Sequence, residues 1–187
     1  LADIKLAGSV PTDVILFNID SKSEINGKQS KDAIVSVLQN VFNEKLGFSG
    51  TNPFLADLER KLTEEGKYDL FKEKFEDSFG STWEESRSDF DFIQDDVVEV
   101  LDEIDFMSVE AGRNWCEKAT GEYAYKVEDF ARLVKKYLDK KESNHHIVFL
   151  IDEIGQYIGD DSKLMLNLQT VTEDLGTACG GKAWIIV

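Results

Sequence analysis

The sequence contains little proline and cysteine, and it has no long apolar run. Two prolines and two cysteines occur among 187 residues, and Cys116 and Cys179 are far apart with no CxxC pattern. This usage excludes a disulfide framework, gives no zinc motif, and is typical of a reducing compartment. No apolar run approaches the ~20 residues that span a bilayer, and the first residues lack the basic and apolar regions of a signal peptide. We therefore expect a cytoplasmic protein without a membrane-spanning segment.

Basic residues are also scarce. The chain has 21 Lys and Arg against 37 Asp and Glu, which gives a net charge of -16. Nucleic-acid affinity depends on basic side chains that displace counterions from phosphates, so we expect no direct contact with DNA or RNA. Hydrophobic residues make up 42% of the chain, which is enough to form a core and argues against disorder. The oligomeric state is left open, with a homo-oligomer among the alternatives.

Apolar runs at both ends of the chain predict strands. The first is Val14 to Asp20, which lacks strict alternation and therefore indicates a strand covered on both faces, as in parallel sheets. The second is the run of apolar residues 147–151 after His146, and it ends at Asp152-Glu153. The third is residues 183–187 after Gly180-Gly181. Trp184, in the third strand, is expected to be a packing anchor, like Trp83 and Trp115.

Helical patterns separate these strands. Residues 29–46 and the segment after Asp161 or Ser162, which we expect to be an N-cap, show helical spacing. Residues 52–140 contain several further helical stripes. Strands separated by helices predict an α/β fold with a parallel sheet and right-handed crossovers. The middle block is too long for one crossover, so we assign 1–50 and 143–187 to the sheet domain and 51–142 to an all-helical insertion.

The ends of the chain suggest a larger parent protein. The sequence opens at Leu1 without an initiator Met and closes inside the apolar run Ala183 to Val187. We therefore hypothesise an excerpt of a longer polypeptide.

The acidic pair Asp152-Glu153 is the strongest candidate for chemistry. Ligands of open α/β sheets bind beyond the carboxyl ends of the strands. Mg²⁺ prefers oxygen ligands and retains several waters, so Asp152 is a candidate metal and cofactor ligand. Glu153 is then a candidate catalytic residue that orients or deprotonates a water aimed at a γ-phosphate. A core strand that simply ends in a charged turn is the alternative, because such strands are common.

Two stretches resemble a known family. They are FLIDEIGQYIGDDSKLMLNLQTVTEDLGTACGGKAWIIV (residues 149–187) and PTDVILFNIDSKS (residues 11–23). They resemble the P-loop ATPases of bacterial BREX phage-resistance systems, the BrxC/PglY-like family. The resemblance implies a partial P-loop NTPase core of the AAA+/ASCE type, with Asp152 as the Walker B acid and Glu153 as the catalytic glutamate. It also implies ATP and Mg²⁺ as cofactors and other subunits of a phage-defence complex as partners.

One part of the family pattern is missing. The phosphate-binding motif is a Gly-rich loop ending in Lys and Ser or Thr, and no such loop occurs here; Gly8-Ser9 has neither the spacing nor the lysine. We therefore expect this chain alone to be inactive as an ATPase. The alternative function is a non-catalytic, ATPase-like interaction scaffold whose acidic helical block docks partners.

Other polar residues have alternative interpretations. Gln156 is a candidate γ-phosphate contact, although a residue at this position more often satisfies backbone groups of the turn. His145 and His146 are best explained as strand-entry residues, because neighbouring strand residues point to opposite faces. A third, weaker function is a metal-dependent nuclease that uses Asp20, Asp152, Glu153 and Asp160.

Overall fold

The computed structural model describes residues 5, 8–23 and 32–187. Three parallel strands form one sheet in the order β1-β2-β3: β1 is Thr12–Asn18, β2 is His146–Asp152 and β3 is Ala183–Ile186. Strand β2 is central, and its register pairs Asn18 with Asp152 at the carboxyl end. The predicted order of elements, the parallel pairing and the α/β class are therefore confirmed.

One face of the sheet carries the core. Ile15 and Phe17 of β1 and Ile147, Phe149 and Ile151 of β2 are buried. The alternate residues lie on the opposite face, where Val14 is 49% and Leu16 is 72% exposed. The predicted coverage of both faces is therefore wrong for the part of the chain that the structure describes. Trp184, predicted to be a packing anchor, lies on this same face and is 54% exposed.

The first strand is also shorter than predicted at its carboxyl end. It ends at Asn18, and α1 (Ile19–Ser23) begins at once, so Asp20 lies in the first turn of a helix rather than at a strand end. An acidic side chain in the first turn interacts favourably with the helix dipole. Ile19 is fully buried, which anchors this change of direction.

Helices α2 (Ala33–Lys45), α8 (Val127–Leu138) and α10 (Ser162–Ala178) pack against one another and cover the buried face. The rings of Phe42, Phe130 and Phe149 meet at centroid separations of 5.9 to 6.4 Å. Asn167 Oδ1, on α10, accepts a hydrogen bond from Val35 N at 3.3 Å, which satisfies a donor in the first turn of α2. The predicted helix 29–46 thus corresponds to α2, while residues 29–31 lie outside the described residues.

Two compact units make up the chain: residues 1–45 with 125–187, and residues 46–124. Helix α8, which we assigned to the insertion from the sequence, packs on α10 and so belongs to the unit that contains the sheet. The short helix α9 (Ile154–Ile158) follows β2 in the same unit.

The second unit is helical. Its elements are α3 (Pro53–Glu64), α4 (Tyr68–Phe79), α5 (Trp83–Ser86), a 3₁₀ turn (Arg87–Phe92), α6 (Gln94–Glu103) and α7 (Val109–Ala119). Its apolar core includes Leu58, Phe71, Phe75, Trp83 and Leu101. Trp83 is fully buried and its ring meets those of Phe71 and Phe75 edge to face. The predicted packing role of Trp83 is therefore confirmed. No helix in the described part of the chain is long and apolar enough to cross a membrane.

Candidate functional site

Asp152 is the last residue of the central strand β2, and its side chain is exposed. The parallel register places it beside Asn18, the last residue of β1. Both strands therefore deliver a polar side chain to the carboxyl edge of the sheet, which is where open α/β sheets bind ligands.

Glu153 follows in an unusual backbone conformation. Its φ is 61° and its ψ is 17°, the left-handed region, and it is the N-cap residue of α9. A non-glycine residue in this region costs roughly 1–2 kcal/mol because Cβ approaches the following carbonyl oxygen. The conformation turns the chain at once from β2 into α9. Residues kept in such conformations occur often at functional sites.

Hydrogen bonds order this turn. Glu153 N donates to Asp152 Oδ1 at 3.0 Å. The backbone N–H groups of Gln156 and Tyr157 both donate to the carbonyl oxygen of Glu153 at 3.1 Å. The two acids are thus held together by the backbone of the turn, while their carboxylates face solvent.

Asn18 completes the group. Its side-chain amide donates a hydrogen bond to Glu153 Oε2, across the gap between β1 and the turn after β2. This bond orients the Glu153 carboxylate along the sheet edge. Sequence reasoning missed Asn18, although its position as the polar residue that ends an apolar run was a usable signal.

Gln156 lies in α9 and is exposed. Its backbone N–H donates to the carbonyl oxygen of Glu153, so Gln156 belongs to the turn that follows β2. Within the described residues, no hydrogen bond joins its side chain to either acid. Both interpretations of its side chain, a phosphate contact and a bond to backbone groups of the turn, stay predictions.

The other predicted acids have separate roles. Asp161 is the N-cap of α10 and accepts hydrogen bonds from Lys163 N at 2.8 Å and Leu164 N at 3.2 Å. Asp20 lies in α1 and Asp160 is exposed just before Asp161. Across residues 5, 8–23 and 32–187, no group of three or more His, Cys, Asp or Glu side chains could hold a metal ion. Asp20, Asp152, Glu153 and Asp160 therefore form no such group among the described residues.

His145 and His146 belong to the opposite edge of the sheet. His146 begins β2, and His145 Nε2 lies 2.7 Å from Asp13 Oδ2. Tyr137 of α8 also donates a hydrogen bond to Asp13 Oδ2. Burial alone would raise the pKa of Asp13, but the hydrogen bonds from Tyr137 and His145 and the charge of Lys45 lower it. This cluster ties β1, β2 and α8 together at the amino edge and has a structural role.

The acidic pair suits a strongly hydrated cation. One exposed carboxylate, that of Asp152, offers an oxygen of the kind that binds such a cation. Mg²⁺ has this preference, since it keeps several waters and binds proteins through one or two carboxylates. Glu153, held by Asn18, lies next to that position and could orient a water. The carboxylate oxygens are thus of the kind that Mg²⁺ accepts.

Two cavities lie at other places in the described part of the chain. One of about 390 Å³ runs along β1 and α2 between Leu16, Val41 and Lys45. Another of about 250 Å³ is lined by Asp102, Asp105 and Phe106 in the helical unit. The acidic pair lines neither of them.

No protein-family model matches this chain, and no solved structure matches it.

Proposed function

We propose that this chain carries the metal-binding and water-positioning part of an ATPase site, in a P-loop protein of the bacterial BREX phage-defence type. The observation that carries the proposal is the position of Asp152 and Glu153 at the carboxyl end of the central parallel strand, next to Asn18. Asp152 would hold Mg²⁺, and Glu153 would orient the attacking water. The phage-defence assignment is supported by the resemblance of residues 11–23 and 149–187.

The roles proposed for Asp152 and Glu153 follow from the chemistry of phosphoryl transfer. Phosphoryl transfer depends on positioning and on neutralising charge, so separate groups bind the metal, the water and the phosphates. Mg²⁺ would neutralise charge on the phosphate oxygens. The sequence has no Gly-rich loop with Lys and Ser or Thr, so no phosphate-binding loop is assigned within it.

The test uses the protein as expressed from its gene. We expect Asp152→Asn to abolish the Mg²⁺ dependence of ATP binding in calorimetry. Glu153→Gln should retain ATP binding but lower hydrolysis by about 10²–10⁴-fold, the usual contribution of a general base. Asp160→Asn, an exposed acid in the loop after α9, is the matched control and should leave both unchanged. ATP hydrolysis at the wild-type rate in both site variants would contradict the proposal.

A second candidate function is a non-catalytic interaction scaffold. It is favoured by the charge of residues 46–124, which contain 21 Asp and Glu and 8 Lys and Arg, a net charge of -13 out of -16 for the chain. In this unit Phe92 is 89% exposed and directly follows Asp91, a composition that suits a basic partner surface. Two results together would favour the scaffold. The wild-type protein would show no Mg²⁺-dependent nucleotide binding, and Asp152→Asn would leave phage resistance unchanged.

A further inference from the structure

Helix α6 of the helical unit presents a row of carboxylates to solvent. The helix buries its apolar residues, which are Val97, Val98, Val100 and Leu101. Asp95, Glu99 and Asp102 are exposed. They are four and three residues apart, so their side chains are neighbours on one face of the helix. We call these three residues the acidic row, and it extends over ~10 Å at the rise of 1.5 Å per residue.

The acidic row lacks counter-charge from its surroundings. Glu103, just beyond it, pairs with Lys74 at 2.6 Å, but no acid of the row forms an ion pair with any residue that the structure describes. Lys67 Nζ binds the carbonyl oxygens of Ile104 and Asp105 after the end of the helix. Like charges at this spacing repel each other, so positive groups from a partner would relieve that repulsion. Because these acids belong to no group that could hold a metal ion among the described residues, a divalent cation is disfavoured in that role.

Aromatic side chains lie at both ends of the acidic row. Phe92 ends the 3₁₀ turn three residues before Asp95 and is 89% exposed. At the other end, Asp102 shares the cavity of about 250 Å³ with Phe106 and Met107, which are half-buried. Aromatic residues and arginine are enriched as anchors at protein interfaces. A carboxylate beside an aromatic wall suits a guanidinium, which binds carboxylates through its fork of donors and stacks on rings.

Charge favours a partner protein over this chain as the source of those guanidinium groups. Residues 1–4, 6–7 and 24–31, which lie outside the described residues, contain two Lys, one Asp and one Glu and therefore have no net charge. They also contain no arginine, because the four arginines of the sequence are at positions 60, 87, 113 and 132. A second copy carries a net charge of -16 and is repelled. An arginine-rich segment of a partner protein has the complementary charge.

We propose that the exposed face of α6, from Phe92 to the cavity at Phe106, docks an arginine-rich α-helix of a partner protein. Arginines on one face of that helix pair with Asp95, Glu99 and Asp102. The guanidinium at Asp102 enters the cavity and stacks on Phe106, and Phe92 packs between side chains of the partner. This inference rests on the scaffold candidate and deepens it, and it does not depend on nucleotide binding at the acidic pair of the sheet.

Two synthetic peptides test the proposal on the protein as expressed from its gene. Both have the same composition with three arginines, and both are held helical by lactam bridges. In the first peptide the arginines are four and three residues apart on one face, and in the second they are spread around the helix. Binding is measured by the fluorescence anisotropy of a label on the peptide and by calorimetry. We expect saturable binding and at least about fivefold higher affinity for the first peptide, because only its arginines reach all three acids at once.

Matched variants locate the contact. Glu99→Arg reverses one charge of the acidic row, and Glu76→Arg makes the same change in net charge at an exposed position on α4. We expect Glu99→Arg to weaken binding of the first peptide at least about tenfold, and Glu76→Arg to weaken it less than about twofold. Phe92→Ala should weaken it at least about fivefold, as expected for an aromatic anchor.

Three results would overturn the proposal. They are no binding of either peptide to the intact protein, equal affinities of the two peptides, and equal effects of Glu99→Arg and Glu76→Arg, which would show attraction to the net charge alone. Circular dichroism checks that each variant is folded. Calorimetry with Mg²⁺ and ATP on the same samples keeps this surface apart from the nucleotide site, because Glu99→Arg should leave nucleotide binding unchanged.

Discussion

Glu59 lets us test how the helical unit is held together. This carboxylate, on α3, is fully buried. Its Oε1 accepts hydrogen bonds from Trp83 Nε1 at 2.7 Å, Arg87 NH1 at 2.7 Å and Tyr68 Oη at 3.1 Å, and its Oε2 accepts one from Ser49 N. Burial, and then the charge and hydrogen bond of Glu59, raise the pKa of Tyr68. The Tyr68 hydroxyl therefore stays protonated and donates.

Glu59→Gln removes the charge and keeps the shape. A glutamine amide has one oxygen and one NH₂ group, so it cannot accept from donors on both sides, and the Arg87 guanidinium loses its anion. Removing one partner of a buried ion pair costs about 3–5 kcal/mol, and an unsatisfied buried donor adds to the loss. We expect the free energy of unfolding of this unit to fall by about 3–5 kcal/mol, equivalent to at least about 12 °C in Tm for a unit of this size.

The assay is urea denaturation followed by far-ultraviolet circular dichroism, because residues 46–124 are helical. Glu73→Gln, at an exposed position on α4, is the matched control and should leave the midpoint unchanged. The double variant Glu59→Gln with Arg87→Met should be less destabilised than the two separate losses added together, since the pair is lost as a unit. A loss below about 1 kcal/mol in Glu59→Gln, or additive losses in the double variant, would refute the assignment of Glu59 as the central acceptor.

Two further predictions concern the sheet. The pKa of Asp13 is lower in the folded protein than its ordinary value of 3.8. The ionised side chain therefore stabilises the fold above pH 3.8, and this contribution is lost as the pH falls through the lower pKa of the folded state. Asp13→Asn should therefore lower the Tm at pH 7, and the gap to wild type should narrow on acidification below pH 4; a gap that does not depend on pH would contradict this. At Glu153, both Ala and Gly remove the carboxylate, but only Ala keeps the Cβ strain at positive φ. Glu153→Gly should thus be about 1 kcal/mol more stable than Glu153→Ala by chemical denaturation, and equal stabilities would show that the turn is unstrained.

Short-range patterns predicted much of the fold. Strand β2 was recognisable because a short run of β-branched and aromatic residues, ending in charge, cannot form a helix of useful length. An N-cap at Asp161 or Ser162 was similarly predictable, because a cap requires only a short polar acceptor and the backbone N–H groups two and three residues on; the structure places it at Asp161. The place of Asp152 and Glu153 at the end of β2 follows from their neighbours in sequence.

Contacts between distant residues could not be predicted in this way. The side chain of Asn18 bonds to that of Glu153, which lies 135 positions later in the sequence. Glu59 accepts hydrogen bonds from four donors that come from separate segments of the chain. Helix α8 looked like part of the insertion, since its apolar stripe shows only that it packs, not which element it packs against.

The sequence by itself determined the three strands, the longer helices between them and the position of the acidic pair at a strand end, because these depend on periodicity and on residues close along the chain. Only the tertiary structure decided which sheet face is buried, that Trp184 is exposed, and that Asn18 and Glu153 meet. The physical reason is that the hydrophobic effect has no direction: an apolar side chain gains similar free energy from burial against any apolar surface. The pattern of apolar residues therefore shows that a face is buried, but not which element buries it.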